Sequence, residues 1–217
     1  MPRHQQPLRG AIISNSIEGL DQLYRSDHRI QYDILEITAD FQPDLSAYQL
    51  LIAPNGTDHV ALYRMRDLIH AFLDRGGALL CCDGWFTDWV PGNRWVMDNT
   101  KKTIDVRYTL RDDPFGIEEE FNIRNLNFSH GISGWWACGY IEAAPGATVL
   151  VEDTWQRPLV VVDEASTKGI MVLSASGPLA DLSYATTDDS KAYAAMSNLY
   201  KALINVILQR TKKEAVG

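Results

Sequence analysis

Apolar positions in the first 86 residues gather into four short runs, and the segments between them carry helical or turn spacing. Residues 8–14 and 30–37 read as strands, with a short helix between them at 18–26 that puts Leu20, Leu23 and Tyr24 on one side. Residues 48–53 form a nearly continuous apolar run, as expected of a strand covered on both faces, and Pro54, Asn55 and Gly56 stop it as a turn. From 59 to 75, Leu62, Met65, Leu68, Ile69, Phe72 and Leu73 recur at helical spacing, and Gly76 and Gly77 supply the stop. The run that follows predicts a fourth, buried strand ending in a tight turn at Cys82, Asp83 and Gly84. This order of strands and helices implies right-handed crossovers, a mostly parallel sheet, and functional loops at the carboxyl ends of the strands.

The middle is less regular. Residues 86–100 are rich in Trp, Gly, Pro, Asn and Asp, which suits a long loop near a site more than a core element. Residues 102–110 and 120–123 read as strands of an inserted hairpin, separated by a polar turn at 111–116. Three further strands are predicted at 147–151, 158–162 and 169–174. A closing helix follows from about 190 to 209, with Ala192, Met196, Leu199, Leu203 and Ile207 in its stripe. The expectation is one α/β domain over residues 1–217.

Composition narrows the function classes. A net charge of −8, with no Lys/Arg cluster to offset it, argues against a nucleic-acid partner. Three cysteines, two of them adjacent, make no disulfide framework, so a reducing, cytoplasmic setting is expected. Neither a signal-peptide core nor an apolar run long enough to cross a bilayer is present, so no membrane partner is expected.

Several residues have chemistry open to them. Cys82 leaves the fourth strand just before a glycine, a position from which a turn lifts one side chain out of a sheet as a nucleophile. The plainer reading is a small apolar filler. Cys81 alternates with it and should face the core. Asp58 and His59 follow the third strand, so His59 is the best substitute base, while helix capping explains Asp58 equally well. His130 lies in a turn, and Glu18 follows the first strand, where helix N-terminal preference for acids competes with a role beside the cysteine. Asp83, Asp88 and His130 match no metal-ligand spacing, so neither a metal nor a cofactor is expected. All six tryptophans fall within residues 85–155, four of them in polar, glycine-rich segments near predicted strand ends. Aromatic faces beside Asp, Asn and Arg are a common grip on sugars; the competing reading is a sheet cover or a subunit contact.

Residues 48–56 and 76–84 in sequence resemble the class I glutamine amidotransferase-like superfamily. The order of Asn127 to Ile132 around His130, the strand at 158–162 and Lys168 to Leu173 is similar to its trehalose-utilisation (ThuA-like) branch. The resemblance spans roughly residues 8–209 and implies a flavodoxin-like three-layer sandwich. In that superfamily the elbow reads Gly-x-Cys-x-Gly. Here Cys82, Asp83 and Gly84 keep its second half, which implies that Cys82 holds the nucleophile position, and the first glycine is missing. The resemblance also implies a His-x-Glu pair after the last core strand, yet residues 174–181 contain no histidine. Glutamine hydrolysis is therefore not expected. The expectation is a pocket with Cys82, His59, His130 and Glu18 as candidate catalytic groups. Asn55, Asp58, Asp83, Gly84, Trp85 and Trp89 would bind a small polar ligand, a carbohydrate by analogy. The alternative is a non-catalytic interaction domain or homo-oligomer with a decayed elbow, and a third reading, a cysteine-dependent hydrolase, needs a base.

Overall fold

The computed structural model describes residues 6–119, 122–127, 135–183 and 190–214. Its first half follows the apolar pattern: β1 (Leu8–Ser14), α1 (Leu20–Leu23), β2 (Ile30–Glu36), β3 (Leu50–Ala53), α2 (His59–Arg64), α3 (Arg66–Asp74) and β4 (Ala78–Cys81). The middle contributes β5 (Arg94–Met97), β6 (Thr109–Leu110), β7 (Trp136–Ala137) and β8 (Gly139–Glu142). The second half adds β9 (Thr148–Glu152), β10 (Pro158–Asp163), β11 (Ile170–Ser174), β12 (Ser176–Gly177) and the long helix α4 (Ser190–Glu214).

Eight strands form the main sheet in the order β2-β1-β3-β4-β11-β10-β9-β6. The pairs from β2 through β11 are parallel. From β11 outward through β10, β9 and β6 they are antiparallel. The order 2-1-3-4 with a fifth parallel strand beyond is that of a doubly wound, flavodoxin-like sheet, in which crevices for ligands open at the carboxyl strand ends. β3, β4 and β11 are fully buried along their length, as strands covered on both faces must be.

Local sequence misjudged several boundaries. The helix expected over 18–26 contracts to four residues, because Gly19 takes a left-handed conformation (φ 78) as its N-cap and Tyr24 leaves helical dihedrals (φ −123, ψ 76) at its other end. The single helix over 59–75 is two, since Met65 leaves helical dihedrals (φ −101, ψ 14) between them. An apolar stripe records which side is buried and is blind to such a step. α4 runs to Glu214, five residues beyond the expected end.

The middle corrects the reading more. Residues 102–110 are not one strand: Thr103–Asp105 is a 3-10 turn and only Thr109 and Leu110 pair, with Glu152 and Val151 of β9. Ile117–Glu119 and Ile123–Leu126 are 3-10 turns, while Glu120 and Phe121 lie outside the described residues. The antiparallel pair that does form joins β5 to β8, Arg94 opposite Glu142 through Met97 opposite Gly139. Residues 86–100 are likewise no solvated loop, because Trp89 and Trp95 are core side chains. No helix among the described residues is long and apolar enough to cross a membrane.

Candidate functional site at the carboxyl strand ends

Parallel register brings the ends of β3, β4 and β11 to one level, with Ala53 opposite Cys81 and Cys81 opposite Leu173. Three loops therefore meet: Pro54 to Asp58, Cys82 to Thr87, and Ala175 to Gly177. Cys82 N–H donates to the Ala53 carbonyl at 2.9 Å, so the thiol sits on the last pleat of the sheet and does not stand clear of it.

Both vicinal thiols are fully buried. The Cys82 Sγ accepts from the Tyr24 hydroxyl at 3.5 Å, and the same hydroxyl lies 3.1 Å from the Leu179 carbonyl. Burial pushes the Cys82 thiol up to about 12, a rise that the Tyr24 hydrogen bond only partly opposes. Cys81 donates to the Asp83 carbonyl at 3.2 Å, and burial raises it too. A nucleophilic cysteine requires the reverse, a partly exposed thiol with its thiolate stabilised. Cys138, the third, is exposed; its pKa is raised by partial burial and by the charge of Asp83. We expect iodoacetamide at neutral pH to label Cys138 in the native protein, and to reach Cys81 and Cys82 only on unfolding. Peptide mass mapping checks this, and native labelling of Cys82 at the pace of Cys138 would count against the sealed thiol.

His59 opens α2 and is held from both sides. The Trp89 indole N–H donates to its Nδ1 at 3.2 Å, and an indole can only donate, so the neutral ring carries its hydrogen on Nε2. That ring also bonds the Gly84 backbone, yet burial, the larger influence, lowers its pKa below the usual histidine value. The lone pair that a general base would offer is thus engaged by Trp89. The hydrogen bonds of Cys82 and His59 lead to different partners and do not join them.

The remaining candidates divide in the same way. Asp58 caps α2, accepting from Val60 N at 2.9 Å and Ala61 N at 3.1 Å. Glu18 is exposed on the loop before α1, whereas the thiol is fully buried. His130 lies outside the described residues. Asn55 donates to Asp83 at 2.5 Å, and Asp83 also accepts from the Gly84 and Gly56 amides. Burial raises the Asp83 carboxyl above its ordinary value because it outweighs those donors. Trp85 is 3% exposed and Trp89 fully buried, so they act chiefly as walls.

Beside the elbow lies a hollow of about 270 Å³ lined by Trp85, Phe86, Thr87, Asp88, Arg94, Trp95 and Met97. Phe86 is 69% exposed and meets Trp95 edge to face at 4.8 Å. The Trp95 indole N–H reaches the Ala175 carbonyl at 3.3 Å, fixing that ring against the end of β11. Arg94 is held by Glu142 across the β5–β8 pair. Sequence reasoning placed the aromatic residues near the site but missed Arg94 and Met97, whose positions depend on a pairing between residues 48 apart. It also missed Tyr24 as the partner of Cys82, although Tyr24 stood on the apolar side of its helix.

The strand order and the strand-turn at Cys82 define an α/β flavodoxin-like sandwich. Among solved structures, a glutamine amidotransferase from Thermotoga maritima matches 96% of this chain and 98% of its own at a TM-score of 0.56, with 11% sequence identity. At that identity the likeness is one of fold. A GH42 β-galactosidase (17% identity, TM-score 0.47) is matched over 92% of this chain and 30% of its own. An α-L-fucosidase from Paenibacillus thiaminolyticus (16%, TM-score 0.39) is matched over 93% and 34%. Both lie too far in shape to bear on function. No protein-family model matches the chain, and no curated protein does.

Proposed function

We propose that the chain is a ThuA-like member of the amidotransferase-like superfamily that binds a small carbohydrate in the aromatic hollow and does not hydrolyse glutamine. The observation that carries this reading is the hollow itself: exposed Phe86 over Trp95, with Thr87, Asp88 and Arg94 at its rim, one turn from the elbow. Sugar rings offer apolar C–H faces to aromatic side chains and hydroxyls to carboxylate and guanidinium groups. The enclosed Cys82 supports the second half of the reading, since a buried neutral thiol cannot attack a carboxamide.

Titration of intrinsic tryptophan fluorescence with a panel of mono- and disaccharides tests it. A saturable shift is expected for at least one sugar. Phe86→Ala should weaken that binding about tenfold, roughly the 1.4 kcal/mol of one aromatic contact. Because Phe86 is exposed, stability should stay within about 0.5 kcal/mol. A flat response over the whole panel rejects the carbohydrate reading.

A second reading rests on exposed apolar groups. Phe86 and Met97, at 69% and 55% exposed, border a hollow that a second copy of the chain would cover. Light scattering separates the two, since self-association abolished by Phe86→Ala, without any sugar response, favours assembly.

A further inference from the structure

The carboxylate of Asp83 is gathered by three neutral donors. The Asn55 side-chain amide reaches one oxygen at 2.5 Å, the Gly84 backbone N–H reaches the other at 2.8 Å, and the Gly56 N–H completes the set. Two of these donors follow β3 and one follows β4, so the parallel register of the strands aims them at one point. Among the described residues, no Lys or Arg forms an ion pair with Asp83, and its contacts are neutral donors. The wall behind Asn55 is Gly177 of β12, where an added Cβ would lie 2.3 Å from the Asn55 amide nitrogen. Next to Gly177, Ser176 is 1% exposed and its hydroxyl has no hydrogen-bond partner among the described residues. A buried hydroxyl without a partner is rare in folded proteins and marks a place where a polar group is wanted.

We propose that Asn55, Gly56 and Gly84 form a binding cradle for a small carboxylate, and that Asp83 is its built-in occupant, which blocks the site in the resting protein. The cradle is a concavity of convergent N–H groups, the backbone arrangement that binds anions elsewhere without a cation. Asp83 enters it from the adjoining residue of the same turn, so its effective concentration exceeds that of any free carboxylate. An external ligand is admitted only when the turn carries Asp83 away. This cradle is separate from the aromatic hollow and does not depend on the carbohydrate reading.

The test removes the occupant and offers acetate in its place. Asp83→Ala and Asp83→Ser are prepared as full chains, and thermal unfolding is followed in sodium acetate against sodium chloride of equal ionic strength. Acetate is expected to raise the melting temperature of both variants saturably, by about 3 °C or more over chloride, through binding to the native state alone. In amide NMR spectra the Gly56 and Gly84 signals should move with it, and the parent protein should show neither effect. Asn55→Ala combined with Asp83→Ala should lose most of the gain. Should a variant lack native circular dichroism in chloride, acetate is expected to restore it. Folded variants that respond equally to acetate and chloride, or unfolded ones that acetate leaves unfolded, overturn the proposal.

Discussion

Gly169→Ala is expected to lower stability by about 3 kcal/mol or more, the upper range for forcing an added carbon into a packed site. Gly169 precedes β11, and a Cβ there would lie 1.9 Å from the Gly77 carbonyl oxygen and 3.0 Å from that of Leu73. These are backbone atoms, so no rotamer change relieves the contact. Either the α3 carboxyl end lifts, or β4 and β11 part where Ala78 pairs Ile170. The same two strands set the level of the Cys82 and Ser176 loops at their other ends, so the damage reaches the candidate site. Urea unfolding measures it, and a change below about 0.5 kcal/mol, the ordinary range for surface substitutions, would show that the strands tolerate the carbon.

Asp163→Ala ranks beside it, with an expected loss of about 3–5 kcal/mol from breaking a buried charged hydrogen-bond network. Asp163 is fully buried and accepts from Ala165 N, Ser166 N, the Ser166 hydroxyl and the Asn93 side chain. Asn93 in turn accepts from Ala144 N at 2.9 Å. One carboxylate thus fastens the turn after β10 to both the start of β5 and the segment after β8. Removing it strands several donors in the interior and frees the strand that carries Arg94, Trp95 and Met97. Asp163→Asn, which keeps one acceptor oxygen, should cost less.

The pH dependence follows from the same contacts. Burial pushes the Asp163 carboxyl upward, but hydrogen bonds from Ser166, Asn93 and Ala165 outweigh it and hold the carboxyl below its ordinary 3.8. A folded-state value below the unfolded one means that its stabilisation is present above about 4 and is lost as pH falls through the folded value. The parent should therefore lose stability more steeply than Asp163→Asn between about pH 4 and pH 2. Parallel acid limbs for the two proteins would contradict the direction of this shift.

What local pattern reveals is narrow and sound in its own terms. The runs at Leu50–Ala53 and Ala78–Cys81 are apolar at every position, which only a doubly covered strand tolerates, and helical spacing marks the buried side of α3 and α4. The cap at Asp58 was equally readable, because capping depends on a residue and the next three. The tryptophans were visible as a group, but local pattern left open whether they grip a ligand or cover the sheet. Whether a Trp flanked by Asp and Gly is solvated or buried depends on what packs on it, and for Trp95 that includes Ala175, 80 residues away.

The sequence by itself determined the class of the fold, the four parallel strands of the first half, the turn at Cys82 to Gly84, and the absence of histidine from residues 174–181. Tertiary structure alone decided the chemistry left to that turn. Tyr24, 58 residues from Cys82, closes over the thiol, while Trp89 occupies the lone pair of His59. Spacing along a chain sets which residues lie at a strand end, because strand and helix periods are local. Accessibility and charge arise from contacts between distant segments, and these seal the cysteine while leaving the aromatic hollow open beside it.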